Sequence, residues 1–218
     1  MKNSSEYAQR VRKLYRSLKR THPKVTRVSY DDPIDALIYG VIGEGMSVSS
    51  TEAAIRGIGE TFINHNDLRV SRIEEILEVF GKDTRPGRDT AFSLTTAMRA
   101  VFDQYHTMSL QALKKMGKRP AKQILEALRG VSRFVVNYCM LTSLQAHAIP
   151  LTEAMVAYLR EHEVVDLEAD EEDIEGFLTR QIAAKDAYEF YTLLRCESES
   201  AKGGGKTVSY THLRAHET

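Results

Sequence analysis

No stretch of this 218-residue sequence is apolar for long enough to cross a bilayer. Runs such as LIYGVIG (37–43) fall far short of the roughly 20 residues that a membrane helix needs. The opening residues, MKNSSEYAQRVRKLYRSLKR, lack the apolar core of a secretory leader. Together these absences point to a cytoplasmic protein with no membrane partner. Cysteine is almost absent as well. Cys139 and Cys196 are the only two, which excludes a four-thiolate cluster or a structural zinc site, and isolated thiols in a cytosolic chain stay reduced. The expectation is no metal and no cofactor. Valine-rich alternating runs joined by two-residue turns are also missing, which excludes a sheet-based fold.

Net charge is zero, with 30 Lys and Arg against 30 Asp and Glu, yet the charge is segregated. Residues 10–27 contain Arg10, Arg12, Lys13, Arg16, Lys19, Arg20, Lys24 and Arg27 with no acid among them. A second basic stretch comprises Lys114, Lys115, Lys118, Arg119, Lys122, Arg129 and Arg133, opposed only by Glu126, while EHEVVDLEADEEDIE (161–175) is strongly acidic. Segregation of this kind suits a protein that presents one face to a polyanion.

What is present in abundance is a 3.6-residue apolar period, and the fold class expected is all-α, with about ten helices and no repeat of fixed length. The first helix, 5–20, sets Tyr7, Val11, Leu14, Tyr15 and Leu18 opposite its basic residues. DDPIDALIYGVIGEG gives an Asp cap, Pro33 in the first turn and an apolar, buried body. SSTEAAIRGIGETF and SRIEEILEVFG are expected as capped helices, the second starting at Ser71 and closing on Gly81. KDTRPGRDT (82–90) is expected to be a loop, and SLQALKKMG, PAKQILEALRG and SRFVVNYCMLTSL short helices in succession. After the break at Ile149 and Pro150, TEAMVAYLREHEVV, DEEDIEGFLTRQI and KDAYEFYTLLRC complete the set. Tyr7, Tyr15, Tyr188 and Tyr191 read as core edges, Cys139 as a small buried hydrophobe, and His106 and His147 have no partner at motif spacing.

Apolar periodicity stops near Ser200, so 201–218 is expected to be a flexible tail. VSYTHLRAHET (208–218) resembles translated sequencing-adapter read-through, so 206–218 is expected not to be native and the native end to lie elsewhere.

AKQILEALRGVSRFVVNYCML (121–141) has the pattern helix, Leu-x-Gly-Val turn, helix. This segment resembles the helix-hairpin-helix DNA glycosylase superfamily, specifically its endonuclease III-like members. The likeness extends through THPKVTRVSYDDPIDALIYGVI, AIPLTEAMVAYLREHEVV and the last helices, covering roughly residues 5–197. It implies two packed helical lobes with a cleft between them, lobe A near 30–133 and lobe B from 1–29 plus 134–200. It also implies that hairpin backbone amides hold a DNA phosphate, since a glycine turn admits close approach and helix N-terminal amides attract anions. Leu128, Gly130, Val131 and Arg133 match the family hairpin, while Arg129 and Ser132 replace its proline and second glycine. The DNA-binding residues expected are Arg129, Gly130, Val131, Ser132, Arg133 and Lys122.

The family's catalytic groups have no counterpart. Its lysine nucleophile falls at Phe134 and its aspartate at Thr152, so neither an amine to attack the sugar nor a carboxylate to balance developing positive charge is supplied. Where the family carries a probing glutamine there are Glu44 and Gly45, and a histidine position is Ala154. The iron–sulfur cysteines are missing, with Cys196 at most a remnant of the first. Thr152 reads as the cap of the following helix with Glu153 in its first turn. The reading is therefore a monomeric, nucleoid-associated DNA-binding protein of the base-excision-repair superfamily without glycosylase or abasic-site lyase activity. Two alternatives stay open: a monofunctional glycosylase using Glu44 or Glu153 with water, and a protein-interaction module.

Overall fold

The backbone follows from where helices can start and stop. The computed structural model describes residues 4–202, and the expectations for the tail beyond them lie outside the described residues. Among those residues there are eleven α-helices, two 3₁₀ segments and no strand.

The unit 30–145 is built on α2 (Pro33–Gly45) and α8 (Arg133–Thr142). Asp32 caps α2 by accepting from Ile34 N at 3.0 Å, and Pro33 supplies a first-turn residue that needs no amide partner. The apolar length of α2, from Ile34 through Ile42, packs against α8, in which every residue from Phe134 to Thr142 is buried. Gly40 makes this contact close, since a β-carbon there would meet Val135 Cγ1 at 3.3 Å. The unit extends past the 133 boundary expected from sequence because α8 buries its apolar faces here.

Around this pair lie α3 (Val48–Thr61), α4 (His65–Val70), α5 (Ile73–Phe80), α6 (Arg85–Tyr105) and α7 (Lys118–Ala127). Three local expectations change. Ser71 does not cap α5: it is buried and donates to Leu68 O at 2.7 Å, closing α4, and Arg72 takes the cap position with its amide donating to Glu75 at 2.9 Å. The stretch 82–90 is a loop only to Thr84, whose hydroxyl accepts from Gly87 N and starts α6 with Pro86 in the first turn. SLQALKKMG forms only a 3₁₀ segment, Gln111–Lys115, because Leu113 is the one buried residue in it.

The unit formed by the terminal segments 1–29 and 146–218, described over 4–29 and 146–202, contains α1 (Ser4–Thr21), α9 (Glu153–Glu161), α10 (Glu171–Gln181) and α11 (Ala187–Lys202). Helix α11 supplies Phe190, Leu193 and Leu194 to the core of this unit, and Val11 and Leu18 of α1 are buried in the same unit. Tyr15 meets Phe190 edge-on at 5.6 Å, as expected of a core-edge tyrosine. No helix among the described residues is long and apolar enough to cross a membrane.

Candidate nucleic-acid interface

The hairpin between α7 and α8 is set by one glycine and one serine. Gly130 has φ +78°, in the left-handed region, and packs on the backbone of α6: a β-carbon there would lie 2.7 Å from Ser93 O and 2.9 Å from Ala97 N. The turn closes with Val131 N donating to Leu128 O at 3.3 Å. Ser132 then caps α8, its hydroxyl accepting from Val135 N at 3.2 Å. The same hydroxyl donates to Glu44 Oε2 at 2.7 Å, although the two residues are 88 apart in sequence.

Val41, Glu44 and Gly45 of α2, Asp89, Thr90 and Ser93 of α6, and Gly130, Val131 and Ser132 of the hairpin enclose an open groove of about 400 Å³. Asp89 and Thr90 are missed by sequence reasoning, because their segment was expected to be a loop. The nearest sequence signal is the threonine–proline helix start at Thr84 and Pro86.

Arg129 and Arg133 are exposed on either side of the turn. Helix α7 buries Ala121 and Leu125 and exposes Lys118, Arg119, Lys122 and Glu126, with Lys122 and Glu126 paired at 3.6 Å. Lys118 has its ammonium on the Leu144 carbonyl and Lys114 on that of Tyr30. In the other unit the basic first helix is partly neutralised. Arg10 pairs with Glu6 at 2.7 Å and Glu163 at 3.2 Å, and Lys19 with Glu189 at 2.8 Å. Arg12, Lys13, Arg16 and Arg20 remain exposed.

Phe134, which the resemblance sets against the glycosylase lysine, is only 3 % exposed. Its ring stacks on Tyr138 at 6.1 Å, Tyr138 stacks on Tyr39 at 5.2 Å, and the Tyr138 and Tyr30 hydroxyls are 3.0 Å apart. Phe134 is thereby part of a packed aromatic stack. Thr152, which the resemblance sets against the glycosylase aspartate, accepts from Met155 N at 3.3 Å and so caps α9, with Glu153 exposed in the first turn. Cys139 is fully buried, and burial pushes its thiol well above the ordinary range. Cys196 is buried in α11. Two buried thiols, one of them held protonated, do not fit the four thiolates of an iron–sulfur cluster, and no group of three or more metal-ligating side chains occurs among the described residues.

No protein-family model and no curated protein matches the chain. Solved structures do match. A trapped endonuclease III–DNA covalent intermediate is similar at TM-score 0.66 and 13 % identity over 86 % of this chain and 84 % of that one. The 8-oxoguanine glycosylase/lyase of Clostridium acetobutylicum in complex with duplex DNA has TM-score 0.63 and 15 % identity, over 90 % and 70 % of the two chains. The H. pylori 3-methyladenine DNA glycosylase MagIII bound to 1,N6-ethenoadenine has TM-score 0.62 and 12 % identity, over 93 % and 99 %. Hairpin, helix order and these likenesses together give the chain the endonuclease III-like helix-hairpin-helix DNA glycosylase fold.

Proposed function

We propose that the protein binds DNA, as a monomer in the cytoplasm, and neither excises bases nor cleaves abasic sites by the chemistry of the enzymes it resembles. One observation carries the reading. A well-formed hairpin, with Gly130 at positive φ and Ser132 capping α8, sits one residue from a Phe134 that is buried in an aromatic stack. The turn needed to approach a phosphate is kept, and the place of the nucleophile is filled with carbon. Exposed Arg129, Arg133, Arg119 and Lys122 extend a positive surface from the turn along α7, the electrostatic footprint of backbone binding. Such contacts position a duplex without reading its sequence.

The test is a fluorescence-anisotropy titration on an abasic-site duplex, run beside borohydride trapping and strand cleavage. The expected result is affinity that falls steeply with salt, no trapped adduct and intact DNA. A covalent adduct or clean cleavage would place the protein among the active enzymes instead, and affinity indifferent to salt would remove the phosphate-binding basis.

A further inference from the structure

The cap of α8 already has an anion against it. Ser132 uses its hydroxyl oxygen to accept from Val135 N and its proton to bind Glu44 Oε2 at 2.7 Å, which fixes a carboxylate at the positive end of the helix. Glu44 is an unfavourable residue for its own helix. It lies in the last turn of α2, which holds no basic residue and where the helix carbonyls concentrate negative charge. Its contact with Ser132 ties it to the hairpin. Asp89, exposed, lines the same groove, so a phosphate at the hairpin shares the groove with two carboxylates.

We infer that Glu44 competes with DNA phosphate at the hairpin, lowering affinity there and leaving the first hold on DNA to the exposed cations of α7. The inference rests on the DNA-binding reading above and specifies how its site is regulated. A phosphate enters the hairpin only when Glu44 is displaced from Ser132. A plain structural role for the same hydrogen bond makes a different demand: it needs an oxygen acceptor but no charge. Gln supplies that acceptor, so Glu44→Gln separates the two.

The experiment measures binding of the full chain to a fluorescent duplex from about 50 to 200 mM salt. It compares the wild type, Glu44→Gln and, as a control for lost negative charge elsewhere, Glu78→Gln on the exposed face of α5. Glu44→Gln is expected to bind about five-fold tighter, the scale of one relieved like-charge contact. The slope of log affinity against log salt is expected to steepen by about one as a further phosphate is engaged. Glu78→Gln is expected to keep the wild-type slope. Urea unfolding of Glu44→Gln at the wild-type midpoint would show that the fold is unchanged. A Glu44→Gln curve that superimposes on wild type, or a gain matched by Glu78→Gln, overturns the competition while leaving DNA binding intact. If neither wild type nor Glu44→Gln binds, the DNA-binding reading itself fails.

Discussion

Placing an amine at position 134 by Phe134→Lys is expected to destabilise the protein without creating a lyase. Phe134 is 3 % exposed and stacks on Tyr138, itself 3 % exposed, which stacks in turn on Tyr39 at 5.2 Å. Emptying a buried phenyl site costs about 3–5 kcal/mol. A lysine stem recovers part of the lost apolar contact, but its ammonium must either leave water or pull the stem out of the stack. Phe134 is also the second residue of α8, so the new cation faces the positive end of that helix and loses roughly 0.3–1 kcal/mol more. The recovery and the added penalty offset, leaving about 3–5 kcal/mol out of a typical total of about 5–15. For a chain of this length that corresponds to a fall in Tm of roughly 10 °C. Thr152→Asp is the companion change, since aspartate is as good a cap for α9 as threonine and leaves stability nearly unaltered. Thermal unfolding gives the stability change, and borohydride trapping on abasic DNA gives the chemistry, for Phe134→Lys alone and with Thr152→Asp. A doubly substituted protein as stable as wild type that forms a trapped adduct would refute the reasoning, because it would show that position 134 is an open site and not part of a packed core.

Gly130→Ala combines a strained φ of +78° with a β-carbon 2.7 Å from Ser93 O, and is expected to lower stability by at least about 1–3 kcal/mol in urea titrations. An unchanged midpoint would mean that the hairpin does not pack on α6 in solution. His65 bears on pH. Its hydrogen bond to Asp35 at 3.1 Å raises its pKa against the opposing effect of burial, with help from the charges of Asp35 and Asp32 and from the Met108 carbonyl. Because the folded pKa is raised, the pair's contribution is complete below the unfolded value of about 6.5 and is lost as pH rises through the higher folded value. Imidazole NMR titration should place His65 above an unperturbed histidine, and Asp35→Asn should bring it down. Identical titration in both proteins would discard the pair.

Much of the backbone was legible because it is written in local chemistry. Asp32 with Pro33, Gly81 at φ +72°, Ser132 and Thr152 all do what their residue types favour at helix ends. Helix α4 was not legible: it has six residues, buries only Leu68, and is held by Asn64 Oδ1 accepting from Asn66 N and Asp67 N. A single buried position has no period to detect. Ser71 misled because serine can end one helix as readily as begin another, and the choice is made by the Leu68 carbonyl beside it. The Glu44–Ser132 contact and the stack joining Phe134 to Tyr39 through Tyr138 link residues far apart in the chain, and no local pattern encodes such pairs.

That division bears on the catalytic positions. At Phe134 and Thr152, the positions that the resemblance sets against the glycosylase lysine and aspartate, the sequence supplies neither an amine nor a carboxylate. The sequence alone does not say what these two side chains do instead, and this decides how readily either position would accept a catalytic group. Catalytic groups work against stability, because a desolvated amine or an uncompensated carboxylate is costly to hold. Both side chains contribute to folding, Phe134 as apolar packing and Thr152 as a helix cap. The two positions are therefore unequal. Thr152→Asp keeps the cap, whereas Phe134→Lys dismantles a packed stack, so the aromatic position, and not the threonine, is the one at which a catalytic group is costly to place.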